Sequence, residues 1–216
     1  MAKVNDIQLL LARCGPTEWD RGGRLCGGGN DLPVCACGRE HIQGLVERLK
    51  GSTLGMVVSG PDAASVETAN AIADATGART KRSDDFEEVN LGLWNGLLRA
   101  ELEDRFPKAY RQWTENPSGV LVPQGESVDD ARDRLVGNLG RVLSRTRSAG
   151  KGVGIVLRPM AYLITRAWLR GENLAESWRR PSEVSPLEWH CVPKLRLRRE
   201  GSEALQVSTD SRAKAS

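Results

Sequence analysis

The sequence predicts a layered α/β domain. Short apolar runs alternate with amphipathic stretches along the chain, and glycine-rich turns separate them. The 216 residues suffice for one substantial core and are few for two. Residues 7–12 (IQLLLA) read as a buried strand, and 15–38 as a long glycine-rich loop. A helix follows over 39–49, because Ile42, Leu45, Val46 and Leu49 recur at i, i+3, i+4 and i+7. Gly51 and Gly55 frame its exit into a second strand at 56–59. A small-residue helix at 62–75 ends at Gly77, and a third strand is placed at 79–82.

The pattern then breaks up. Short helices at 98–106 and 109–114, separated by Pro107 and ended by Pro117, suggest a helical insertion over 97–123 rather than core elements. Phe106, Tyr110 and Trp113 would share one face if a helix ran through Pro107, and that face could serve a protein partner. Ser127 caps a long helix whose Val128, Ala131, Leu135, Leu139 and Val142 line one side. Residues 152–157 (GVGIVL) form a buried strand, and 161–170 a helix stopped by Gly171. A hairpin of 195–198 and 205–207 turns at Glu200-Gly201-Ser202, and 209–216 is a polar tail expected to be disordered. The expectation is one domain over 1–208.

Composition narrows the function classes. Apolar residues are 39% and charged residues 27%, with a net charge of +3, which excludes a disordered charged tail and gives no argument for nucleic acid. The 24 arginines against 7 lysines are spread without a patch. The longest apolar run near the start, 9–12, is too short for a membrane span or a signal core, so a soluble cytoplasmic protein without membrane contact is expected. Five cysteines do not make a disulfide framework. Cys26, Cys35, Cys37 and His41 could converge on zinc, but Cys35-Ala36-Cys37 departs from the usual Cys-x-x-Cys knuckle, and no metal or cofactor is expected.

In open α/β sheets ligands bind at the carboxyl ends of the strands. Four loops qualify. They carry Arg13-Cys14-Gly15-Pro16-Thr17-Glu18-Trp19-Asp20 with Gly23-Arg24 and Gly27; Ser59 to Asp62 with Thr68-Ala69; Phe86-Glu87-Glu88-Val89 with Gly92, Trp94 and Gly96; and Leu157-Arg158-Pro159. Gly125-Glu126-Ser127 precedes the long helix.

In this order, the set resembles the histidine phosphatase superfamily, the phosphoglycerate-mutase-like fold. That family's motifs run Arg-His-Gly, Glu-Thr-x-Trp-Asn, Gly-Arg-x-Gln-Gly, Ser-Ser-x-x-x-Arg-Ala-x-x-Thr-Ala, Arg-Glu-Ile-x-x-Gly-x-Trp-Glu-Gly, Gly-Glu-Ser and Ser-His-Gly. The resemblance implies a three-layer α/β/α sandwich with a mostly parallel sheet and a small helical lid. It also implies phosphomonoester chemistry through a phosphohistidine. Here, however, the nucleophile position is Cys14, the second pocket His is Arg158 with Pro159 after it, and one phosphate-clamping Arg is Ala64. Only Arg13 and Glu88 remain of the principal pocket groups.

Two functions stay open. One is a catalytically inactive pseudoenzyme that binds a phosphate-like anion or a protein partner through the remnant pocket, without a covalent pathway once the nucleophile is lost. Arg13, Arg158, Thr17 and Arg24 would then hold the anion, with Glu88 as the nearest counter-charge. The other is a cysteine-based phosphatase with a Cys14 thiolate, its pKa lowered by guanidiniums, and Glu88 as general acid. His41 and His190 replace neither lost histidine from their sequence positions.

Overall fold

The computed structural model describes residues 6–146 and 151–193; the expected hairpin and the 209–216 tail lie outside them. Five strands form one sheet: β1 (Asp6–Arg13), β2 (Leu54–Ser59), β3 (Arg79–Arg82), β4 (Gly152–Leu157) and β5 (Leu187–Pro193), in the order β3-β2-β4-β1-β5. β1, β2, β3 and β4 are parallel, and β5 runs antiparallel along β1, pairing Ile7 with Val192 and Ala12 with Leu187.

Strand alternation sorts the core into two faces. Leu9 and Leu11 of β1 join Val153, Ile155 and Leu157 of β4 beneath α6 (Val128–Arg145) and α7 (Pro159–Arg170). Leu10, Ala12, Val57 and Val156 face the other way, against α2 (Ala36–Arg48) and α3 (Ala63–Thr76). Gly154 lets this second layer close up, since a Cβ there would press on Val57 at 3.2 Å. The result is the expected α/β/α arrangement. β3 is exposed throughout and carries Arg79, Lys81 and Arg82, charges that discourage further pairing at this edge.

Several elements differ from expectation. The first long loop contains a one-turn helix, α1 (Glu18–Arg21), which Thr17 and Asp20 set up as a capping box. α2 starts three residues early, with the Cys35 sulfur capping Gly38 N–H. The lid consists of α4 (Arg99–Arg105) and α5 (Pro107–Glu115). The expected break at Pro107 is present, and the second helix begins not at 109 but on the proline itself, where a missing N–H costs nothing. A short helix α8 (Leu174–Arg179) and strand β5 occupy a stretch that the sequence pattern gives no element, and His190 lies on β5. Among the described residues no helix is long and apolar enough to cross a membrane.

Candidate functional site

The carboxyl ends of β1 and β4 lie side by side, and the loops leaving them meet. Cys14 N–H continues the ladder onto the Leu157 carbonyl at 2.9 Å. The β1 loop is then pressed against the start of α2, where a Cβ on Gly38 would lie 2.4 Å from the Pro16 carbonyl oxygen. Gly15 N–H donates to Thr68 Oγ1 at 3.0 Å, which ties the loop to α3.

Cys14 is 2% exposed and packs with Ala64 in the α2–α3 core cluster. Burial pushes its thiol up to about 12, against the opposing pull of Arg158. Arg158 pulls the thiol down as a guanidinium is expected to, but desolvation outweighs it and the net shift is upward, toward the protonated thiol.

Arg158 is the N-cap residue of α7 and 3% exposed. Its guanidinium lies 3.8 Å from Cys14 Sγ and donates to Asp20 Oδ1 at 3.2 Å. Asp20 Oδ2 completes the ion pair at 3.2 Å and also accepts from the Thr17 hydroxyl and backbone N–H, at 2.7 and 2.8 Å. The counter-charge to Arg158 is therefore Asp20, where the motif above has Asn, rather than Glu88. Thr17, expected to help hold an anion, gives its hydroxyl to Asp20 instead.

Glu88 has other partners. Its carboxylate accepts from Val89 and Ala161 N–H on one oxygen and from Met160 N–H on the other, at 2.7–2.8 Å. It thus fills the N-terminus of α7, where free N–H groups and the helix dipole favour an anion. Pro159 offers no N–H, and Tyr162 N–H already bonds the Arg158 carbonyl. Burial pushes Glu88 up to about 7, although Arg158 and these three donors oppose the rise. Gly125-Glu126-Ser127 helps hold the segment in place: Glu126 accepts from Asn90 N–H at 2.8 Å and from Arg134 at 2.5 Å, and Arg134 also grips the Glu87 carbonyl.

Arg13 turns elsewhere, with Nη1 3.4 Å from the Pro181 carbonyl. It and Arg158 thus have separate partners within the chain. Arg24 donates to the Gly96 carbonyl at 2.8 Å and lines a cavity of about 180 Å3. Asp20, Cys26 and Glu88 also line this cavity. Burial pushes the Cys26 thiol up to about 11. Trp113, Trp178, Met160 and Leu163 give it an apolar wall, and Arg99 and Arg179 add charge. These last two, like Asp20, escape sequence inspection. Arg99 and Arg179 sit outside the motifs, and only folding brings Asp20 to Arg158, 138 residues away.

The cysteine–histidine set does not converge. Cys35 and Cys37 sulfurs touch at 2.6 Å, while His41 Nε2 lies 3.4 Å from the Arg13 carbonyl. His190 lies 3.6 Å from Glu188 on β5, outside the cavity lining. The lid packs through Trp113, which is 5.1 Å from Trp178 and 6.0 Å from Trp94, edge to face in both cases. Phe106 stays exposed, apart from this cluster.

Residues 9–207 match the histidine phosphatase superfamily (branch 1). The chain is 28% identical over 172 residues to phosphoserine phosphatase 1 of Hydrogenobacter thermophilus, covering 80% of each. It is 32% identical over 145 residues to the bifunctional protein Rv2228c of Mycobacterium tuberculosis, which covers 66% of this chain but only 39% of that relative's length. Among solved structures, mycobacterial hydrolase 1 superposes with a TM-score of 0.74 at 22% identity, covering 86% of this chain and 91% of the other. A mycobacterial glucosyl-3-phosphoglycerate phosphatase gives 0.70 at 23% identity, over 86% and 89%.

Proposed function

Because the chain belongs to the histidine phosphatase superfamily (branch 1) yet has Cys14 and Arg158 at the two histidine positions of its motifs, we propose that it is a non-hydrolytic member, a binding protein that takes an anionic ligand in the remnant pocket. One observation carries this reading. The two groups best able to receive a phosphoryl group are already occupied from within: Arg158 by Asp20, and the α7 N-terminus by Glu88. A phosphate at the floor would have to displace a carboxylate from each. Covalent transfer would further need a Cys14 thiolate in a site where burial keeps the thiol protonated.

The expected result with 4-nitrophenyl phosphate is no release of nitrophenol above buffer from the purified protein. Saturable turnover that disappears in Cys14→Ser would overturn the proposal and establish cysteine-based hydrolysis with Glu88 as acid.

A further inference from the structure

The cavity lining combines carboxylates, arginines and apolar side chains. Glu88 is buried and Asp20, which pairs with the buried Arg158, is only partly exposed, so an anion against them meets carboxylates and an arginine already neutralised. Arg24, Arg99 and Arg179 line it too, and all three are exposed. Arg24 and Arg179 bond only backbone carbonyls, of Gly96 and Glu115, and none of the three forms an ion pair among the described residues. Among the described residues no carboxylate pairs with their charge, and their exposure sets it toward solvent.

Met160, Leu163, Trp113 and Trp178 supply the apolar part of the lining. The edge-to-face packing of the two tryptophans fixes part of this wall. A cavity of about 180 Å3 exceeds the ~150 Å3 apolar cavity that accepts benzene, so one aromatic ring or a short chain fits.

We propose that this cavity binds an organic oxyanion with its apolar or aromatic body inserted against Met160, Leu163 and Trp178 and its charged group held outward by Arg24, Arg99 and Arg179. The inference rests on the non-hydrolytic reading and adds the ligand's chemistry and its orientation. Phosphate, sulfonate and carboxylate heads share this recognition, because a guanidinium offers each a bidentate pair of donors. The apolar body supplies the other part of the affinity and excludes water from the contact. Inorganic phosphate lacks that body and gains little at the mouth.

Calorimetric titration of the full chain with phenyl phosphate at low salt tests this, with inorganic phosphate and phenol as controls. Phenyl phosphate is expected to bind at least tenfold more tightly than either control, and less tightly as salt rises. Arg99→Ala and Arg179→Ala, both exposed positions, should each weaken it about tenfold, the scale of one charged hydrogen bond. Met160→Ser should weaken it as well, while far-ultraviolet dichroism verifies the fold. No binding, equal binding of phenol, or arginine variants that bind like the parent would overturn the inference. Phenol released during the titration would instead overturn the non-hydrolytic reading on which it rests.

Discussion

At residue scale, two buried groups define the site's behaviour. Glu88 is held near pH 7 in the folded chain, whereas the unfolded chain releases that proton near pH 4.5. Between those values the folded state binds the extra proton, so stability falls as pH rises across the window and stays lower above it. The loss attributable to this group is on the order of 3 kcal/mol. Urea unfolding at pH 5 and pH 8 should show that decline in the parent and a shallower one in Glu88→Gln. The variant's absolute stability is lower at both, because an amide cannot accept from all three N–H groups. An unchanged slope would place the proton elsewhere. Cys14 offers a second check. Iodoacetamide at pH 8 should label the exposed Cys37 and Cys191 and spare Cys14, as read by peptide mass spectrometry. Preferential labelling of Cys14 would restore the thiolate reading.

At the scale of elements, the lid is an aromatic clasp. Trp113 is buried between Trp94 and Trp178, with Tyr110 stacked on it at 6.3 Å. Trp113→Ala should cost about 3–5 kcal/mol in a denaturant titration, the range for removing a large aromatic from a core. A loss under about 1 kcal/mol would mean that the face is free for a partner, as one sequence reading allowed. The elements legible in the sequence were those with apolar periodicity: β1, β4, α2 and α6 each bury one regular face or a continuous run. α1 has only four residues and depends on a capping box, too short for any period to register. β5 was hidden for a different reason. Its Glu188 is largely concealed and charged, which breaks the apolar pattern, and the facing Arg166, 2.7 Å away, with Arg170 at 3.5 Å, makes that burial tolerable. The break at Pro107 is legible in the sequence, and the preference of proline for the first helical turn explains why α5 starts on it.

At the scale of the whole molecule, the sequence pattern led to the right end of the sheet but not to the contacts there. The loops after β1, Phe86 and β4 do assemble, and Cys14, Arg158, Asp20 and Glu88 converge in them. What stayed hidden is how charge is settled between them, because that depends on distances between residues more than a hundred positions apart. Arg158 suggested an open anion clamp with Arg13, and the fold instead supplies Asp20 to Arg158 and a carbonyl to Arg13. This floor is closed by the chain's own carboxylates, Asp20 on Arg158 and Glu88 on the α7 N-terminus. Thermal melts in phosphate against chloride of equal ionic strength test it most directly, in the parent, Asp20→Asn and Asp20→Asn/Arg158→Ala. The expected outcome is no phosphate-specific rise in Tm for the parent, a rise of a few degrees once Asp20 is neutral and Arg158 is released, and loss of that rise in the double variant. A phosphate-specific rise in the parent that Arg158→Ala abolishes would contradict it.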